Sequence, residues 1–168
     1  IRLTAGTPGE VQLTITQSGA DPDIVLARAE RLARSLPVAN RAVESIAPWL
    51  PSRATIEARF AERDRLGLAA RADVLARSLA DLGFATDPFA PALGHLRQPA
   101  TVEQGLATVA RLRDGPLAPL SARHVAKHPK TGETIVATYV RGPGLDAAAL
   151  QREVSAIDPD AIVTGYPV

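Results

Sequence analysis

A chain of 168 residues, 46% of them hydrophobic, is long enough to bury one real core and too apolar to stay disordered. A formal net charge of +1 leaves no electrostatic footprint for nucleic acid, and the absence of cysteine excludes disulfides, thiolate metal sites and cysteine nucleophiles. No apolar run approaches the roughly 20 residues of a membrane helix, and a start at Ile1 with no methionine anywhere reads as a trimmed piece of something larger.

In chain order, Ile1 to Ala5 is expected as a strand that pairs back through the turn Thr7-Pro8-Gly9-Glu10. Val11, Leu13 and Ile15 then alternate with Gln12, Thr14 and Thr16, the period of a half-buried strand. Asp21 is a good N-cap, Pro22 suits the first helical position, and Asp23 complements the helix dipole. Val25, Ala29, Leu32 and Leu36 share one face of that helix, and Pro37 stops it. Val43 to Ile46 is expected as a second strand.

From Trp49 to about Asp114 the pattern turns helical. Ser52 is placed to cap a helix with Ile56 and Phe60 inward. A second helix should bury Val74, Leu75, Leu79 and Leu82 and end at Gly83. After a proline-broken segment at residues 86–96, Thr101-x-x-Gln104 is a capping box opening a third helix, with Val102, Leu106 and Val109 inward. Strand character returns with a hairpin turn at Pro129-Lys130-Thr131-Gly132 and the β-branched run Ile135 to Val140. A helix with Leu150, Val154 and Ile157 on one face and a closing strand at residues 161–168 complete the chain. The order is β-α-β, helical block, β-hairpin-α-β. It divides the chain into a first half at 1–48, an insertion at 49–116 and a second half at 117–168, together one α+β domain built on a split β-α-β sheet.

Gly142-x-Gly144-x-x-Ala147 has the spacing of a loop that cradles a dinucleotide pyrophosphate. Such a loop needs a ribose-binding carboxylate about 20 residues on. Ile162, Val163, Thr164 and Gly165 stand there instead, and Asp146 would sit in the phosphate's place as a helix cap. The stretch therefore reads as a strand-to-helix turn, and no cofactor is expected. Lys130-Thr131-Gly132 matches one strand motif of penicillin-binding enzymes, but no serine is followed three residues later by lysine. His124 and His128 share a strand face without a third ligand and beside Arg123, Lys127 and Lys130, so a solvated basic hairpin is expected and no metal. His95 reads as a surface residue. Glu57, Glu62, Asp64 and Asp73 lie among arginines as on a solvated helix face. No catalytic residue emerges. Trp49, Phe60, Phe84 and Phe89 fall in or beside the helical block, either as core or as the walls of an apolar groove for a lipid-like ligand.

"SGADPDIVLARAERLARSL", "LPSRATIEARFAERDRL" followed by "LGFATDPFAPAL", and "AIVTGYPV" together resemble an extracytoplasmic loop domain of RND-superfamily transporters of the MMPL type, the group often called predicted exporters. The likeness covers most of the chain. It departs at Ala90-Pro91, where a second aromatic is common, and in the basic hairpin. The resemblance implies a split β-α-β porter unit of ferredoxin-like topology with inserted helices, in a proton-driven exporter of the bacterial inner membrane, this domain on the periplasmic side. It implies a hydrophobic or lipid-like substrate bound without bond chemistry, with Trp49, Phe60, Phe84 and Phe89 as the residues to contact it. The implied partners are the other extracytoplasmic loop and the membrane helices of the same transporter, and a periplasmic carrier protein. A soluble α+β interaction module and a small enzyme with an unrecognised site are the alternatives.

Overall fold

The alternating run of the first half becomes β1 (Glu10–Gly19) in the computed structural model, which describes residues 10–37, 40–98, 101–116 and 118–165. The expected strand at Ile1 to Ala5, the turn at Thr7 to Gly9 and the closing Tyr166-Pro167-Val168 lie outside the described residues. Glu10, expected in that turn, already belongs to β1. The chain divides into two units, residues 1–53 with 108–168 and residues 54–107.

In the first unit, β1 pairs antiparallel with β4 (Thr134–Pro143) along its full length, Leu13 opposite Val140, Ile15 opposite Thr138 and Gln17 opposite Val136. All six of these side chains are buried, while their neighbours along each strand are not, because one face of the sheet carries the core. β5 (Ile162–Thr164) covers part of the other edge of β1. Two short strands share the outer edge of β4: β2 (Ala42–Glu44) lies against residues 139–141, and β3 (Val125–Lys127) against residues 134–136. The order β2-β4-β1-β5, all antiparallel, is the ferredoxin-like split β-α-β arrangement. The hairpin turn before β4 forms as expected, with Gly132 at φ +73° and the His128 N–H donating to the Glu133 carbonyl at 2.8 Å.

Helix α1 (Pro22–Ser35) begins under its predicted cap, the Asp21 carboxylate accepting the Asp23 N–H at 2.8 Å. Val25, Ala29, Leu32 and Leu36 are all buried, as their spacing requires. One core cluster joins Leu13, Ile15, Leu32 and Val140 to Leu150 and Val154 of helix α7 (Ala147–Ile157). The other joins Val25, Leu26 and Ala29 to Ile46, Leu50 and Val136. Each fully buried side chain of this size contributes about 1.5–3 kcal/mol. The second strand ends earlier than its apolar pattern suggests, at Glu44 rather than Ile46, because Ile46 turns into the second cluster.

Gly142 and Gly144 have separate physical reasons. A Cβ on Gly142 would stand 2.7 Å from the Asn40 carbonyl oxygen, and Gly144 adopts φ +62°. Asp146 then caps α7, accepting the Ala148 N–H at 3.0 Å. Gly142→Ala is expected to lower unfolding free energy by about 1–3 kcal/mol in urea titration. An unchanged midpoint would mean that the Asn40 strand end gives way freely.

In the second unit, the helices are the remainder of α2 (Arg53–Leu66), α3 (Leu68–Asp81), a 3-10 turn at Asp87–Phe89, α4 (Ala90–Arg97) and the start of α5 (Val102–Asp114). Its capping signals hold. Thr101 and Gln104 exchange hydrogen bonds at 3.0 and 3.3 Å. Gly83 ends α3 at φ +80°, with the Phe84 N–H donating to the Leu79 carbonyl at 2.9 Å. The expected inward stripe of α3 is a correction: Val74, Leu75 and Leu82 are 53%, 45% and 74% exposed. α3 packs on α4, and the buried residue it contributes is Ala72. A contact between two helices covers one stripe and leaves the next in water. On α5, Val102, Leu106 and Val109 are only half-buried. The acidic residues do sit on a solvated face, Glu62 paired with Arg65 at 2.6 Å and Asp73 with Arg97 at 2.8 Å.

Candidate functional site: an apolar cleft in the first unit

Where β2 ends, the chain makes a single tight turn. The Ser45 hydroxyl oxygen accepts the Ala47 N–H at 3.2 Å, and the Ile46 carbonyl accepts the N–H groups of Trp49 and Leu50, each at 2.9 Å. This turn sends Ile46 and Leu50 into the core and Trp49 outward, where it is 71% exposed. The end of α5 contributes Leu112, and the short helix α6 (Ala118–Ser121) contributes Leu120 and Ser121. Together these residues bound a cleft of about 370 Å³. Ile46 and Leu50 form its floor, while Trp49 and Leu120 are its exposed walls.

The polar end of the cleft is Glu44 and His124. His124 is buried, a correction to its expected place on a solvated hairpin, while Arg123, Lys127 and Lys130 of that hairpin are exposed as expected. The reason lies in the edge of β4. His124 fills the interval between β2 and β3, its carbonyl accepting the Ala137 N–H at 2.7 Å and its Nδ1 donating to the Ala137 carbonyl at 3.0 Å. Its Nε2 lies 3.3 Å from Glu44 Oε1, and its ring meets Tyr139 edge-on at 5.2 Å. Glu44 is further held by Arg123 at 3.1 Å and Arg141 at 2.9 Å. The Arg123 guanidinium lies 4.5 Å from the Tyr139 ring centre, and the Tyr139 hydroxyl donates to the Arg123 carbonyl at 2.7 Å. Every side chain of this cluster is therefore oriented by another.

A second polar cluster lies in the core of the same unit. Asp158, buried, accepts from Arg28 Nε at 2.9 Å and Nη2 at 2.7 Å, and from Gln17 Nε2 at 2.5 Å. Burial pushes the Asp158 carboxyl up, but the Arg28 and Gln17 hydrogen bonds and the Arg28 charge outweigh it and hold the carboxyl below its ordinary range. These three residues are already paired with one another and reach no cleft lining.

Of the four aromatics singled out by sequence, Trp49 belongs to the cleft of the first unit. Phe60, Phe84 and Phe89 belong to the second unit. Phe60 is half-buried beside Gly105, where a Cβ would stand 2.8 Å from its ring. Phe84 and Phe89 are exposed on the turns after α3. The sequence reading missed Leu112, Leu120 and Glu44, and it singled out His124 but placed it on a solvated hairpin. For Leu112 a signal existed, three residues beyond Val109 on the same helix face. For the burial of His124 none did, because its neighbours are distant in sequence.

Among the described residues no three His, Asp or Glu side chains are grouped to hold a metal ion, and no helix is long and apolar enough to cross a membrane. His95 is exposed, its backbone carbonyl bound by Arg63 at 3.1 Å. Compared with protein-family models, curated proteins and solved structures, the chain matches none.

Proposed function

We propose that this chain is an extracytoplasmic, porter-like domain of a proton-driven exporter of the RND/MMPL type, and that it receives and guides a lipid-like or hydrophobic substrate without bond chemistry. The observation that carries the reading is the cleft: about 370 Å³, floored by Ile46 and Leu50 and walled by an exposed Trp49. Its size lies in the range of small-molecule sites. The ferredoxin-like split sheet with helices inserted between its halves agrees with the architecture that the resemblance implies for such a domain. In this reading the domain stands on the periplasmic side of a bacterial inner membrane. The other extracytoplasmic loop, the membrane helices of the same protein and a periplasmic carrier act as its partners.

The geometry around His124 supports binding over catalysis. Its two ring nitrogens face the Ala137 carbonyl and Glu44, so neither is turned to Ser45 or Ser121 as a base. The Ser121 hydroxyl donates to its own helix, at the Ala118 carbonyl, 3.0 Å away.

Reading the gene past Val168 tests the assignment directly. An apolar stretch of about 20 residues within a few positions is the expected result. A stop codon or a polar continuation would end the transporter reading. In the intact exporter, Trp49→Ala should cut the export rate several-fold with the protein level unchanged. A normal rate would remove Trp49 from the substrate path.

The exposed stripe of Val74, Leu75 and Leu82, with Phe84 beyond it, favours a second reading in which the helices of the second unit pair with another protein. Cross-linking from a photoreactive residue at Leu82 would identify such a partner, and crosslinks to lipid alone would not support it.

A further inference from the structure

Charge at the polar end of the cleft selects the head group of what binds there. We propose that the cleft takes an uncharged amphiphile whose head bears hydroxyl groups, in preference to carboxylate or ammonium amphiphiles of the same chain length; this rests on the reading of the cleft as a hydrophobic-ligand site. The polar side chains at this end of the cleft are Glu44 and His124; Arg123 and Arg141 stand behind them. Glu44 Oε1 takes Arg123 at 3.1 Å and His124 at 3.3 Å, and Oε2 takes Arg141 at 2.9 Å. A carboxylate offers about four acceptor positions, and the one hydrogen bond Glu44 accepts here is from Arg141, so it keeps room for a donor from a ligand. The Ser45 oxygen is fixed by the Ala47 N–H and keeps its own proton for donation.

Neither charged head gains here. An anion would meet the carboxylate at contact, while the guanidiniums that could attract it are half-exposed, at 53% and 43%, and screened by water. A cation would find a carboxylate already compensated by those two guanidiniums. Either ion would lose its hydration on entering without a compensating pair. A hydroxyl loses far less, donates to Glu44, and accepts from Ser45. The apolar walls then take the chain.

Trp49 is the sole tryptophan of the sequence, so its fluorescence reports on the cleft without labelling. The 168-residue chain is titrated below micelle-forming concentrations with dodecyl maltoside, dodecanoate and dodecyltrimethylammonium. The expected result is a blue shift with all probes that bind, and an affinity for dodecyl maltoside at least tenfold above either ionised probe. Glu44→Gln, which keeps an acceptor oxygen but removes the charge, should raise dodecanoate affinity several-fold and weaken dodecyl maltoside without abolishing its binding, so that the tenfold preference between the two narrows or disappears. An unchanged thermal transition and retained maltoside binding show that this variant is folded. Dodecanoate or dodecyltrimethylammonium binding as tightly as the maltoside would overturn the head-group preference and leave the cleft as a hydrophobic site. Silence of Trp49 to all three probes would overturn both.

Discussion

Arg28→Met is expected to destabilise the first unit by about 3 kcal/mol, the lower end of the range for stripping one partner from a buried ion pair. Asp158 is 2% exposed and Arg28 16%, so some water reaches the guanidinium but almost none the carboxylate. Without Arg28, Asp158 keeps the Gln17 amide and a long 3.4 Å hydrogen bond from the Asp160 N–H, both uncharged donors, and burial then acts against its charge. Chemical denaturation in urea reads the loss as a lower midpoint at unchanged slope. Replacing the group as a whole, with Gln17→Leu, Arg28→Met and Asp158→Leu, should recover most of it, because no charge is then left buried without a partner. A single Arg28→Met variant within about 0.5 kcal/mol of the parent, inside the scatter of surface substitutions, would show that the cluster does not hold the helix to the sheet.

The same cluster gives a pH signature with a definite sign. The Asp158 carboxyl is held below its ordinary range in the folded chain. Its contribution is therefore complete above the pKa of the unfolded carboxyl, about 3.9, and is lost as pH falls through the lower folded value. Stability of the parent should fall in that acid window more steeply than stability of Asp158→Asn. Parallel acid titrations of the two would refute this.

Leu50→Ala carries the next largest expected loss, about 2–5 kcal/mol. Leu50 is 1% exposed and packs in the cluster of Val25, Leu26, Ala29, Ile46 and Val136. It is also the floor of the cleft, so truncation opens the cleft downward into the core. Leu120→Ala, on the exposed wall at 74%, should stay within about 0.5 kcal/mol in the same experiment. Thermal and urea denaturation of the two variants separate the structural leucine from the surface one. A cost below about 1 kcal/mol for Leu50→Ala would mean that the floor collapses to fill the space.

Signals confined to a few neighbouring residues were legible in the sequence. Asp21 and Asp146 cap the helices they precede, and Thr101 and Gln104 form their reciprocal box. Gly83 closes its helix with a positive φ, and the hairpin at Pro129 to Gly132 forms. Each rests on hydrogen bonds spanning at most five residues, so composition and spacing suffice. Period carried further: it located the strands, the helices and the buried faces of α1 and α7, and with their order the split β-α-β sheet. It failed on α3, because a helical stripe states that a face is apolar without stating what covers it. Of the cleft, only Trp49 was visible, as a large side chain in a region of few others.

Gly142-x-Gly144 shows where the boundary falls. By itself the sequence read this stretch as a strand-to-helix turn followed by a helix cap, and both form. It also determined Gly144, whose backbone lies in the left-handed region. Only the tertiary structure decided Gly142, which is bare because the Asn40 carbonyl, a hundred residues earlier, approaches it. The same holds for His124 against Ala137 and Glu44, and for Arg28 against Asp158. Local geometry follows from hydrogen bonds and periods that act over one or two turns of chain. Burial and pairing of distant side chains follow from which strands share an edge, and that is settled only when the sheet closes.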